Sequence, residues 1–473
     1  MNPLTNALKI LTTTAYQIVL AAVFFAITAR VSDPAFFGQV AVVQLLEAFV
    51  GTAFFLVPQG VITRDVASSL AKGTHRVTVE AYLAYPLLTI PLYLFFLTMP
   101  NYVWLALPYL YLFLVQNVVQ GILYGSDMFT EAATVTAISA TFRWGVSILA
   151  VLEHSFTKFV EIWTVGALAA VAYGLVALRR RQGGISPKFD AKLYFTRFLE
   201  NKYLYGQALA SFLSSQGDRL VTVYFLGQTD LGLYQFAALV ASVPALILGT
   251  IISTSYLAAA SYYRSKGVSE LDISRPAFRV ATVITMVVVV LSMIGSEVLV
   301  PLLFPSFSQS LRALQTLMLA TLVGLLGGVP IASVIAFNRD QRPILVLTGL
   351  NSVSVVSFSA FFIPRFGIEG GALAQLATAI LSVAYTMYYS SSVNAIKYEL
   401  KDVVATLVVI GVTAVEVVFV IHFLLLSLVM FVIGLLSLRF LRVVSKVEYE
   451  LLLRFVPNRM RAFLEIISLA LVM

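Results

Sequence analysis

Residues 8 to 29, 35 to 57, 79 to 99, 102 to 124, 131 to 152 and 157 to 178 form successive apolar runs of about 20 residues, the length a helix needs to cross a hydrocarbon core. After the basic stretch RRRQGGISPKFDAKLYFTRFLENK the runs resume at 203 to 226, 231 to 257, 277 to 303, 307 to 336, 342 to 363, 367 to 393, 401 to 421 and 423 to 442. This pattern predicts an all-α polytopic membrane protein with about 14 transmembrane helices. Composition agrees, because 60% of the 473 residues are hydrophobic and only 11% are charged. The first run is too long for a signal-peptide core and no small-residue cleavage site follows it, so it is expected to remain as the first span.

The net charge of +8 takes its meaning from where the cations fall. With a cytoplasmic N-terminus, the inner segments hold Lys9; Arg64, Lys72 and Arg76; the seven cations from Arg179 to Lys202; Arg264, Lys266, Arg275 and Arg279; Arg339 and Arg342; Lys397 and Lys401; and the six from Arg439 to Arg461. The outer ends hold Arg30, Lys158 and Arg365. This asymmetry predicts a multi-pass protein of the cytoplasmic membrane with both termini cytoplasmic. It turns the positive charge away from nucleic acid as a partner.

An internal repeat divides the chain. FFGQVAVVQLLEAFVG, from Phe36, matches DLGLYQFAALVASVPA, from Asp230, as an outer turn, a glycine (Gly38 and Gly232) and an apolar helix. MPNY, ending at Tyr102, likewise resembles FPSF, ending at Phe307. Six helices separate the equivalents, an even number, so the halves are expected to be pseudo-symmetric about an axis along the membrane normal. The expected organisation is an N-terminal six-helix lobe at 1–178, a basic amphipathic linker at 179–202, a second six-helix lobe at 203–393, two further spans at 394–442 and an interfacial amphipathic tail at 443–473.

Charge inside an apolar span costs about 2.5 to 3.5 kcal/mol on insertion scales, so each instance needs a reason. Arg143 lies near the centre of the fifth span and Glu47 near that of the second. They either neutralise one another within the first lobe, or Arg143 faces solvent and substrate. Asp218 and Arg219 sit side by side in the seventh span, about 100° apart around a helix, so one can bond within the lobe while the other faces a lumen. Snorkelling and interhelical bonding are the plainer reading of this pair, and Arg312, near the outer start of its span, is expected to snorkel. Gln17 on the first helix, Asn117 and Gln120 on the fourth and Ser215 on the seventh are individually helix glue, and together suggest a hydrated central cleft. In GIEGGALAQLATA, the glycines Gly367, Gly370 and Gly371 stand at close-packing spacing.

Several function classes are excluded or unsupported. The chain has no cysteine, so disulfides, cysteine-bound metal and a cysteine nucleophile are excluded. Its three histidines are far apart and no metal or other cofactor is expected. Nothing matches GxxxxGK[ST], which argues against ATP-driven transport by this chain alone.

The stretches ITARVSDPAFFGQVAVVQLL, GDRLVTVYFLGQTDLGLYQFAAL, FPSFSQSLRALQTL and IPRFGIEGGALAQLATAI together resemble the polysaccharide transporter family, the O-antigen or lipid-linked oligosaccharide flippases. These belong to the multidrug/oligosaccharidyl-lipid/polysaccharide (MOP) exporter superfamily. The resemblance covers most of residues 1–395. It implies two six-helix lobes in a V that open alternately inward and outward, around a basic cavity for the pyrophosphate and sugars of a polyprenyl-linked glycan. It places Arg219 in an acid–arginine motif on the seventh span and Arg30 in the first outer-turn motif, with Arg143 a cavity residue by position. The implied function is a flippase of the cell envelope serving polysaccharide biosynthesis: a secondary-type transporter and not an enzyme. Its expected partners are a lipid-linked oligosaccharide, membrane lipids and a coupling ion, proton or sodium, and its expected state is a monomer. The alternative is a cation-coupled multidrug exporter of the same superfamily, which needs a carboxylate cluster that Glu47 alone does not supply. A membrane glycosyltransferase would need an acidic outer loop, and here Asp33 stands nearly alone in a short turn.

Overall fold

The computed structural model describes residues 3–250, 256, 260, 270–338, 342–419 and 424–440. The expected tail at 443–473 and the inner-segment cations Arg264, Lys266 and Arg339 lie outside the described residues. Among the described residues every regular element is helical. The chain divides into two compact units, Met1–Phe212 and Leu213–Met473.

The first unit contains α1 (Pro3–Val31), α2 (Pro34–Phe49), α3 (Gln59–Ala71), α4 (His75–Thr89), α5 (Asn101–Gly125), α6 (Phe129–Ala140), α7 (Ile148–Leu152), α8 (Phe156–Gln182) and α9 (Ala191–Glu200). The helix α10 (Lys202–Leu226) contains the boundary between the units. Local chemistry fixes several ends. Asp33 caps α2 by accepting from Phe36 N at 2.8 Å, with Pro34 preset for the first turn. Three arginines occupy the last turn of α8, where they oppose the negative end of the helix dipole, and Gly183 at φ +78° ends it. The helix α5 packs against α3 and α8, and α6 packs against α1 and α8. Glycines make these approaches possible: a Cβ at Gly125 would lie 2.6 Å from Thr63 O, and one at Gly166 2.3 Å from Phe142 Cβ. Two π-helical turns interrupt the unit, Val50–Phe54 after α2 and Thr141–Val146 after α6.

The second unit continues with α11 (Gln228–Thr250), α12 (Glu270–Leu303), α13 (Leu311–Leu326), α14 (Gly328–Asn338), α15 (Arg342–Ser392), α16 (Leu400–Phe419) and α17 (Leu424–Phe440). Its centre is α13, buried among α11, α12, α15 and α16. The run α15 is two helices, because Gly367 at φ +59°, ψ −139° breaks the helical path.

Among the described residues ten helical stretches are long and apolar enough to cross a membrane, and the chain is a multi-pass membrane protein. The stretch Arg342–Ser392 holds two of the expected spans, separated at Gly367. The other three expected spans, 203–226, 401–421 and 423–442, coincide with α10, α16 and α17, which are helical but do not count among the ten. In α10 the reason is composition, since SSQGDR at its middle dilutes the apolar residues.

Candidate functional site

Each unit holds a buried carboxylate that accepts a tyrosine hydroxyl, and the two differ in how the negative charge is met. In the first unit Glu47, 7% exposed, sits in the last turn of α2. Arg143 Nη1 donates to Glu47 Oε1 at 2.7 Å, and Arg143 Nη2 lies 2.7 Å from Oε2, a bidentate ion pair. Tyr109 Oη donates to Glu47 Oε2 at 2.7 Å. The guanidinium carbon lies 4.3 Å from the ring centroid of Trp144 and 4.8 Å from that of Trp163, so the aromatic rings attract the cation at its sides.

The π turn sets Arg143 in this cage. A widened turn leaves carbonyls without their usual helical partners. That of Arg143 accepts instead from Trp163 Nε1 at 2.8 Å and from the Ser147 hydroxyl. The Arg143 side chain is 16% exposed, and both of its terminal nitrogens lie on Glu47. Its chemistry in this arrangement is charge neutralisation within the unit.

In the second unit Asp218, 2% exposed, lies on α10. Its Oδ1 accepts from the backbone N of Arg219 at 2.8 Å. Its Oδ2 accepts from Tyr234 Oη at 2.5 Å and from Gln375 Nε2 at 2.8 Å. No cation lies within 4.0 Å of the Asp218 carboxylate among the described residues, although Arg219 is the next residue. The Arg219 guanidinium turns back along its own helix, with Nη1 donating to Ser215 O at 3.2 Å and to Gln216 Oε1 at 2.5 Å. Its Nε is buried without a hydrogen-bond partner among the described residues.

Asp218 and Arg219 both line a cavity of about 410 Å³ within the second unit. Polar side chains from four helices share that lining: Ser214 on α10, Ser242 on α11, Thr321 on α13, and Asn351, Gln375 and Thr378 on α15. Thus, among the described residues, the cavity carries one carboxylate, already hydrogen-bonded, and one guanidinium. Such a wall can hold a hydrated polar or anionic group through the arginine and the hydroxyls.

The remaining expected site residues are dispersed. Arg30 is exposed in the last turn of α1. Gln17 is half-buried on α1, and Ser215 is exposed on α10. Asn117 Nδ2 donates to Phe113 O at 2.9 Å along α5, while Gln120 Nε2 reaches Thr136 Oγ1 on α6 at 2.8 Å. The structure therefore joins Glu47 to Arg143 and sets Asp218 and Arg219 on one cavity; Arg143 and Arg219 belong to different units. Arg312 is 61% exposed and lies 3.9 Å from Glu369.

Sequence reasoning missed Tyr109, Trp144, Trp163, Tyr234 and Gln375. Two signals pointed to the last pair: Tyr234 sits two residues after the repeat glycine Gly232, and Gln375 sits four residues after Gly371, on the same helix face. A Cβ at Gly371 would meet the Tyr234 ring at 2.9 Å, so the glycine is the space into which the tyrosine fits.

An all-helical multi-pass protein with this order of helices has known structural counterparts. The fold is similar to that of the lipid II flippase MurJ in an inward closed conformation, with a TM-score of 0.64 at 16% identity over 90% of this chain and 96% of that one. It is also similar to an inward-facing multidrug resistance MATE family transporter of the MOP superfamily, with a TM-score of 0.58 at 14% identity over 79% of this chain and 95% of that one. At these identities the likeness is one of fold. Comparison with family models and with curated protein sequences finds no match.

Proposed function

We propose that this chain is a flippase that moves a polyprenyl-pyrophosphate-linked oligosaccharide from the cytoplasmic to the outer leaflet by alternating access. In this reading both termini are cytoplasmic, residues 1–178 and 203–393 form the two six-helix lobes, and the anionic head group is the part the protein recognises. The observation that carries it is Arg219: a guanidinium on a spanning helix, lining a polar cavity, with its charge unpaired with the adjacent carboxylate. Holding a cation in that position is costly unless a group of opposite charge visits it. A pyrophosphate suits the fork of an arginine, and the hydroxyl-lined wall suits sugars.

The geometry supports different tasks for the three arginines named from sequence. Arg219 is the head-group ligand, Arg143 acts through its pairing with Glu47, and Arg30, exposed at the end of α1, stands at the outer face of the first lobe in this topology. The fold likeness to a lipid II flippase and to a MATE transporter supports a transporter over an enzyme.

One observation favours the second reading, a cation-coupled multidrug exporter: Asp218 is a buried carboxylate with no cation within salt-bridge distance among the described residues, on the same cavity. Both readings meet in one experiment. The full chain is reconstituted in vesicles carrying an undecaprenyl-pyrophosphate oligosaccharide, and the sugar exposed on the far leaflet is measured with an impermeant lectin. Protein-dependent exposure that is lost in Arg219→Gln supports the flippase. Movement of a cationic dye under an imposed ion gradient, with no lectin signal, would replace it with the exporter.

A further inference from the structure

The structure assigns α9 as a docking surface for the head groups of anionic phospholipids. At ten residues α9 is too short to span, and one of its faces is already fixed to the first unit. On that face Tyr194 is buried and its Oη donates to Ala81 O at 2.5 Å, while Arg197 Nε lies 2.6 Å from the buried Asp65. Just before the helix, Lys188 N donates to Glu80 O at 3.0 Å and Asp190 Oδ1 caps Leu193 N at 2.9 Å. The helix is therefore a rigid element, held by α3 and α4.

Its other face is uncovered and patterned. Lys192, Phe195 and Leu199 follow one another at spacings of three and four, which sets them in one stripe of α9, and the exposed Lys202 follows at the start of α10. Phe195 is 65% exposed, Leu199 48%, and Tyr203 beyond them 78%, with the Lys202 ammonium 5.4 Å from the Tyr203 ring centroid. The spanning helix α8, which precedes α9 by the eight residues 183–190, ends in Arg179, Arg180 and Arg181, all exposed. None of these three arginines, nor Lys192 nor Lys202, has a carboxylate within 4.0 Å among the described residues, and the exposed Glu200 is paired with Arg197.

Two features together select the occupant. The cations call for an anionic surface, and the large apolar side chains set between the lysines call for hydrocarbon; a bilayer surface rich in acidic lipid offers both. Connectivity supplies the proximity. The eight residues 183–190 between α8 and α9 reach at most about 30 Å, so α9 cannot leave the neighbourhood of the bilayer that α8 crosses. A soluble polyanion would leave Phe195 and Leu199 in water.

The chain has no cysteine, so Phe195→Cys creates a unique labelling site at an exposed position that the fold does not depend on. The full-length variant, spin-labelled there, is reconstituted into vesicles of phosphatidylcholine alone and of phosphatidylcholine with one quarter phosphatidylglycerol. Collision with lipid-soluble oxygen and with a water-soluble nickel chelate reports the depth of the label. The expected result is a membrane-inserted label in the anionic vesicles and a shift toward water in the neutral ones. Lys192→Gln and Lys202→Gln should each lower the inserted-to-free ratio by about fivefold. A label equally deep in both vesicles, a label in water in both, or dipolar broadening from a second copy of the chain would each overturn the assignment. The readout is position and not transport, so it stands or falls independently of the flippase reading.

Discussion

Tyr234 donates its hydroxyl to Asp218 Oδ2 at 2.5 Å from a ring seated against the bare Cα of Gly371. Gln375, one turn further along the helix of Gly371, donates to the same oxygen at 2.8 Å. Gly371 and Gln375 thus act on Asp218 together, one by making room for its donor and the other by being one. Tyr234→Phe removes a bond from a buried carboxylate and should cost about 1 to 3 kcal/mol. Gly371→Ala drives a methyl into a rigid ring and should cost a similar 1 to 3 kcal/mol, about the range for overpacking. Thermal unfolding of the purified protein checks both. If the two losses simply add in the double variant, the ring and the glycine do not serve the same bond.

The ion pair of the first unit predicts a different pattern. Glu47→Gln strands the Arg143 cation among Trp144, Trp163 and Tyr109, and should destabilise by about 3 to 5 kcal/mol. Replacing both partners, Glu47→Leu with Arg143→Met, should recover most of that loss, because neither charge is then buried alone. Transport by the doubly substituted protein separates the two roles of Arg143. Retained glycan translocation fits a pairing residue, whereas a stable protein with no translocation would return Arg143 to the head group.

Much of the fold was legible because a bilayer imposes a coarse rule: a helix must be about 20 apolar residues long, and ten helical stretches among the described residues obey it. The break at Gly367 was visible as the gap between the runs at 342 to 363 and 367 to 393. The internal chemistry was less legible. Glu47 and Arg143 were visible as charges in apolar surroundings, but their geometry depends on a π turn at Thr141–Val146, which has no sequence period of its own. The partners of Asp218 come from Tyr234 and Gln375, 16 and 157 residues away, and an apolar pattern specifies which face of a helix is buried without specifying which neighbour it meets. The docking of Arg197 onto Asp65 was hidden for another reason, since a cation in a basic linker reads as solvated until its partner is known.

Arg219 predicts a contrast between substitutions that keep charge and those that keep shape. Its contacts are to Ser215 O and Gln216 Oε1 on its own helix, so Arg219→Gln should leave the unfolding temperature nearly unchanged. Translocation should fall by about tenfold or more, the loss expected for a charge-assisted bond of about 1.5 to 3 kcal/mol. Arg219→Lys should recover only part of it, because an ammonium is a point charge and cannot present a fork to a phosphate. Full activity of Arg219→Gln would remove this residue from the head-group site.

The last prediction concerns acid, at a site outside the spanning helices. Glu399 precedes α16 and is paired with Arg275, while Arg279 lies 3.0 Å from it and Lys401 3.4 Å. Burial pushes its carboxyl up, but the charges of Arg275 and Lys401 outweigh this and hold it below its ordinary 4.5. A carboxylate whose pKa is depressed by folding contributes stability above its unfolded pKa and loses that contribution as the pH falls through the folded value. The wild-type protein should therefore unfold at a higher temperature than Glu399→Gln at pH 7, and the two curves should converge as the pH drops below about 4.5. Asp402 shares Arg275 and Arg279 with Glu399, so the difference between the curves reports the Glu399 charge together with its effect on that shared cluster. A difference that stays constant down to pH 3 would mean that the side chain stabilises by packing, independently of its charge.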